Sequence, residues 1–246
     1  MTRLLIRPGA IGDFITSLPA LEALRGDRTE VWCAEQNVAL ARFADSAQSI
    51  VASGLNRLGL MPAEDVVERL RRFDSIVSWY GANSVEFRAV TAELGLPIQF
   101  LSALPARARH AVDFYNDQAR GLGARPASRF PKIETPATAR TFAVVHPFAS
   151  SSAKRAGMPV FESIAERLAE SMPVHWLAGP EEELAGAVRI ENLYELACWL
   201  RGARIFVGND SGISHLSAAV ETPVFALFRA TDPKVWSPRG MAFCHG

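Results

Sequence analysis

The chain has 246 residues, room for one large domain or two of roughly 100–150 each. Hydrophobic residues make up 49% and charged residues 21%, and 26 Lys plus Arg balance 26 Asp plus Glu, so there is no basic excess for nucleic acid and no polybasic patch for a membrane. Cys33, Cys198 and Cys244 are scattered and form neither a metal-ligand pair nor a disulfide framework, no apolar run is long enough to span a bilayer, and Met1 leads straight into a strand pattern; a cytoplasmic protein is expected.

Leu4 to Ile6 is a short apolar run, the first predicted strand. It ends in Arg7-Pro8-Gly9-Ala10-Ile11-Gly12-Asp13, and Ile11, Phe14, Ile15, Leu18, Leu21 and Leu24 then recur at helical spacing. Pro19 interrupts that pattern and is expected to kink the helix or restart it. Glu30–Cys33 reads as a strand, Val38–Ala44 as a helix and Ser49–Ala52 as a strand. Ala63–Arg72 is an amphipathic helix and Ser75–Ser78 a strand. Val85–Leu94 is a helix, Pro97–Phe100 is extended and Ala111–Leu122 is a helix. Residues 123–139 carry Pro126, Pro131 and Pro136 without periodicity and read as an interdomain linker. Alternation resumes with strand Thr141–His146, helix Phe161–Ala169, strand Val174–Ala178 and a weak strand Val188–Ile190. Helix Tyr194–Arg201 follows, with Asn192 as its N-cap, then strand Ile205–Val207, helix Ile213–Val220 and strand Val224–Phe228. Such alternation implies βαβ units and a parallel sheet. The architecture expected is α/β, two Rossmann-like βαβ domains facing across a cleft, residues 1–135 and 136–246.

Four post-strand turns carry polar groups. Phe206 to Val220 reads as strand, tight turn and helix, which points free N–H groups and a positive helix end at the edge of a sheet. Either Ser211 donates its hydroxyl to an anion there, with His215 one helical turn beyond it on the same side, or Asp210 or Ser211 merely caps the helix and His215 is a surface residue. In Gly12-Asp13 the glycine allows a tight turn, and the carboxylate is either a general base or an acid stabilised by the helix dipole. Gly9 and Gly12 do not make the dinucleotide fingerprint. His146 to Arg155 places Ser150, Ser151, Ser152 and Lys154 after a strand, either an anion nest or a solvated loop. Glu181, Glu182 and Glu183 follow a strand and either bind ribose hydroxyls or form the charged first turn of a helix. Two phosphate-competent turns in one domain and a carboxylate turn in the other fit a leaving diphosphate and an activated acceptor.

The stretch Arg7 to Leu24, the pair His146-Pro-Phe-Ala-Ser with Lys154, Asp210-Ser-Gly-Ile-Ser-His215, and the closing Phe225-Ala-Leu-Phe, Thr231-Asp-Pro and Trp236-Ser-Pro together resemble glycosyltransferase family nine, the heptosyltransferases of lipopolysaccharide core synthesis. The resemblance implies a GT-B fold and an inverting transfer of heptose or a related sugar from an ADP-type nucleotide-sugar to a lipopolysaccharide-core or other glycan acceptor. It implies that Asp13 is the base and Gly12 its turn glycine. Ser150, Ser151, Lys154, Ser211, Gly212 and His215 would hold the donor diphosphate, with Asp210 by the transferred sugar. Glu181 or Glu182 would bind the ribose, and Asn192 and Leu193 would lie beside the base. No metal or other cofactor is expected; the partners are a nucleotide-sugar donor and a glycan or glycolipid acceptor, at the inner-membrane surface in a peripheral location. Phe148 stands where the family usually has glycine. The chain stops soon after Pro238, so a last helix crossing back to the first domain is not expected. Arg69, Arg71 and Arg72, or Arg107 and Arg109, are candidates for acceptor phosphates, and Trp79-Tyr80 either lines the acceptor cleft or packs in the core. Two other readings stand beside transfer: a nucleotide-sugar binding protein, and a GT-B-like epimerase or hydrolase.

Overall fold

A computed structural model describes residues 1–58, 63–105 and 109–245. Two five-stranded sheets, all parallel, organise the chain. The first has the order β3-β2-β1-β4-β5, from β1 (Thr2–Arg7), β2 (Arg28–Cys33), β3 (Ser46–Ser49), β4 (Ser75–Ser78) and β5 (Ile98–Phe100). Its helices are α1 (Ile11–Ala23), α2 (Ile50–Ser53), α3 (Glu64–Leu70), α4 (Val85–Glu93) and α5 (Ala111–Gly121). The second has the order β10-β9-β8-β6-β7, from β6 (Phe142–His146), β7 (Val174–Trp176), β8 (Ala203–Asn209), β9 (Val224–Leu227) and β10 (Ala242–His245). With it go α6 (Met158–Ala169), α7 (Leu193–Leu200), α8 (Gly212–Ala219) and α9 (Pro233–Trp236).

Alternation along the strands sets the layers. Leu4 and Ile6 of β1 face an outer cluster with Val66 and Leu70 of α3, while Leu5 faces inward. On β6, Val145 faces outward onto Phe161 of α6 and Val144 faces inward. The two inward faces belong to one buried cluster, which joins Phe14, Leu18 and Leu21 of α1, Tyr115 of α5, Leu196 and Leu200 of α7, and Leu216 of α8. Helix α1 packs on α5 on one side and on α8 on the other. That packing carries α1 through Pro19 without a restart, although proline removes one helical hydrogen bond.

Three expected elements differ. The helix expected at Val38–Ala44 is a 3₁₀ segment, Glu35–Leu40, held by three-residue bonds such as Asn37 N–H to Ala34 O. The strand expected at Ser49–Ala52 ends at Ser49, whose hydroxyl accepts from Ala52 N–H and starts α2. The weak strand at Val188–Ile190 is a single bridge between Leu177 and Val188. Two elements went unanticipated: α9, and β10, a four-residue edge strand whose Phe243 is exposed. Residues 123–139 are irregular yet pinned. Asn116 donates to Ser128 O, Arg129 pairs with Asp113, and the buried Ile133 gives its N–H to Ala219 O. Among the described residues no helix is long and apolar enough to cross a membrane.

Candidate active site

The carboxyl ends of the two sheets face one cavity of about 570 Å³. Gly12 and Asp13 enter it from the start of α1; Ser150 and Lys154 from the turn after β6; Glu182 and Leu193 from the segments after β7; and Asp210, Ser211, Gly212 and His215 from the start of α8. Ser151, Glu181 and Asn192 stay outside this lining. Ser151 is exposed ahead of a 3₁₀ turn, Ser152–Lys154, and Glu181 is exposed. Asn192 is occupied as the cap of α7, its Oδ1 accepting from the N–H groups of Tyr194 and Glu195.

Helix α8 starts as its sequence dictates. β8 ends at the buried Asn209, and Ser211 accepts from Ser214 N–H as N-cap. The Ser214 hydroxyl turns back to Asn209 O at 2.6 Å. Asn209 also braces the turn after β6: its Nδ2 donates to Pro147 O at 2.7 Å and its Oδ1 accepts from Ala156 N–H at 2.9 Å. Reading the sequence alone missed this brace, because Gly208-Asn209 looks like turn chemistry.

The charges converge on Asp210. Its Oδ2 takes the Lys154 ammonium at 2.8 Å and the Thr231 hydroxyl. Lys154 keeps more exposure, 28% of its side chain against 7% for Asp210, so the cation can turn toward an anion in the cavity. Burial pushes the His215 imidazole down to about 4; Asp210 pulls the other way, while His110 and Lys154 add to the downward push. A neutral imidazole therefore faces the cavity.

On the opposite wall, Asp13 Oδ2 accepts Ala10 N–H at 3.1 Å, fixing the carboxylate at the first turn of α1. Glu182 is clamped as well. Its Oε2 accepts from Gly179 N–H at 2.6 Å and meets His146 Nε2 at 3.2 Å. Burial alone would raise the Glu182 carboxyl, but these bonds outweigh it and hold it below its ordinary value. Thr231, Gln36 and Trp236 also line the cavity; no motif pattern marked Gln36.

Other candidates fall elsewhere. Trp79 is in the core, its Nε1 donating to Gln118, and Tyr80 packs edge-on against Phe87. Arg69 and Arg72 line a separate hollow with Thr2 and Arg28 at the amino ends of the strands, away from the cavity. Arg71 is exposed, Arg109 pairs with Asp117, and Arg107 lies outside the described residues. Phe148 packs edge-on against His146 beneath Arg155 and is not part of the cavity lining.

Two parallel α/β sheets that share one cavity, one offering a helix start with a lysine and the other a carboxylate turn, define a GT-B architecture. A sequence profile of Glycosyltransferase family 9 (heptosyltransferase) matches residues 102–242, and the chain belongs to that family. The fold is similar to that of ADP-heptose lipopolysaccharide heptosyltransferase II from Escherichia coli, with a TM-score of 0.75 at 17% identity, covering 100% of this chain and 90% of that one. It is similar also to a family 9 glycosyl transferase from Veillonella parvula, with a TM-score of 0.77 at 16% identity, covering 99% and 85%. By sequence the chain is 42% identical over 59 residues to lipopolysaccharide heptosyltransferase 3 of Escherichia coli, a match spanning 24% of this chain and 16% of that relative.

Proposed function

We propose that this chain is an inverting glycosyltransferase that moves a heptose-type sugar from an ADP-type donor to a glycan or glycolipid acceptor of the lipopolysaccharide-core kind. The observation that carries it is the facing pair of turns: Asp13 on one wall of the cavity, Lys154 with the α8 start on the other. On this reading residues 1–135 bind the acceptor and 136–246 the donor. Lys154 leaves Asp210 for the donor diphosphate, where the N–H groups of α8, Ser211 and a neutral His215 donate to the phosphate oxygens. Asp210 then faces the sugar. Glu182, clamped by one oxygen, offers the other to the ribose hydroxyls, and Leu193 lies against the base. Asp13 takes the acceptor hydroxyl proton as that oxygen attacks the anomeric carbon from the side opposite the diphosphate, which leaves with the bonding pair. Charge on the leaving group is met by Lys154 and by N–H dipoles, so we propose that no metal takes part. Work at the membrane surface as a peripheral protein fits a glycolipid acceptor.

The test is transfer from ADP-heptose to a truncated lipopolysaccharide acceptor, with Asp13→Asn beside the wild type. The variant should lose roughly 10²- to 10⁴-fold in turnover while binding ADP as before. Full turnover in the variant would overturn the mechanism. Donor binding without transfer would point to a binding protein, and donor turnover without acceptor to a hydrolase or epimerase.

A further inference from the structure

Arg7 closes β1 and is 1% exposed. It joins no ion pair among the described residues. A buried cation without a carboxylate is costly, so it persists only where other groups satisfy it. Here those groups are the Pro8–Asp13 turn, a serine one turn further along α1, and two aromatic rings. Nη1 donates to Pro8 O at 3.0 Å, Nη2 to Asp13 O at 3.0 Å, and Nε to Ser17 Oγ at 3.1 Å. Ser17 passes its own hydroxyl hydrogen to Phe14 O at 2.7 Å. The guanidinium lies 4.6 Å from the centre of the Tyr115 ring and 5.8 Å from that of Trp79.

The turn so gripped is the one that presents Asp13. Pro8 precedes the bend at Gly9, whose φ of 113° suits glycine, and a Cβ there would lie 3.0 Å from Asp13 Oδ2. Asn37, fully buried, also holds the bend, its Nδ2 donating to Gly9 O at 3.1 Å. The planar fork reaches both ends of the bend at once, Pro8 before it and Asp13 after it, which a point-charge ammonium cannot do.

We propose that Arg7 is the positioning residue of the reaction: with its guanidinium held against Tyr115 and Trp79, it fixes the Pro8–Asp13 turn and so the Asp13 carboxylate against the cleft, without touching substrate. The proposal rests on the transferase reading. It is tested by Arg7→Met, which removes charge and fork, and Arg7→Lys, which keeps charge but not fork. Both are compared with wild type for kcat, donor KM, ADP binding and amide exchange at Ala10, whose N–H bonds Asp13. Folded Arg7→Met should lose roughly a hundredfold in kcat with donor KM and ADP affinity within about threefold, and Arg7→Lys should recover part of that loss. If Arg7→Met does not fold, Arg7→Lys decides, with kcat down about tenfold at unchanged ADP affinity. A folded variant with wild-type kcat, or one whose kcat and donor affinity fall together, would overturn the proposal. If the wild type transfers nothing, the functional reading fails separately. Ala10 exchange then judges Arg7: clearly faster exchange in Arg7→Lys supports its grip on the turn, and unchanged exchange refutes it.

Discussion

Gly212 meets Gly12 backbone to backbone where the two sheets' helices converge: a Cβ on Gly212 would stand 2.6 Å from Ile11 Cβ and 3.1 Å from Gly12 N. A Cβ on Gly12 would meet the softer target, His215 Cδ2 at 3.1 Å. Both walls of the cavity are therefore set by the absence of two side chains.

Gly212→Ala should cost about 1–3 kcal/mol, because its new methyl meets backbone and a branched Cβ rather than a side chain that can swing away. Neither glycine has a positive φ, so the cost is steric and not conformational. Gly12→Ala should be milder in stability yet still weaken ADP binding by displacing His215. Thermal unfolding and calorimetry on the two variants check this; equal destabilisation would mean that the α1–α8 contact is looser than described.

Lys154 and Asp210 should part company on mutation. Lys154→Met removes the mobile cation and should lower ADP affinity by roughly one to two powers of ten, about 1.4 kcal/mol for each. Asp210→Asn frees Lys154, so ADP should bind at least as tightly while transfer drops. A parallel loss of ADP affinity in both variants would contradict separate roles for the pair.

Acid should destabilise the fold over a defined window. His215 titrates near its ordinary value of 6.5 when unfolded and near 4 when folded. The unfolded chain thus binds a proton that the native one refuses. Its contribution is intact above about pH 6.5 and is lost as pH falls toward 4, on the order of 2–3 kcal/mol. His110, lowered by burial and by Arg239, works in the same direction. Thermal melts from pH 7.5 to 4.5 should slope less steeply in His215→Gln; an unchanged slope would assign the acid loss to other groups.

Asn192→Ala should remove a helix cap and nothing else. The expected cost is about 1 kcal/mol, with nucleotide affinity unchanged. Weakened ADP binding in a variant with intact α7 would return Asn192 to the donor site.

The strand-turn-helix order around Asp13 and Ser211 was legible because buried runs, a turn glycine and helical periodicity follow one another within a dozen residues. Pairing across the molecule was not. Nothing local ties Asn209 to Pro147, Thr231 to Asp210, or Arg7 to Tyr115. Arg7 reads as an ordinary charge at the end of a strand until the aromatic rings of distant segments close over it. The serine turn was legible as a loop with a lysine, but only the fold distinguishes Ser150 in the cavity from Ser151 outside it. Asn192 shows the reverse case. Its capping pattern was plain in the sequence, and in the structure its side-chain oxygen accepts from the first N–H groups of α7.

The single apolar cluster joining both inward faces also bears on modularity. Neither half has a finished surface of its own, because each leaves α1 or α8 uncovered once the other is removed. The two halves should therefore melt in one cooperative transition, and either expressed alone would present a sticky face. Exchanging halves between relatives would then require carrying the facing surfaces of α1 and α8 together, as one inherited unit.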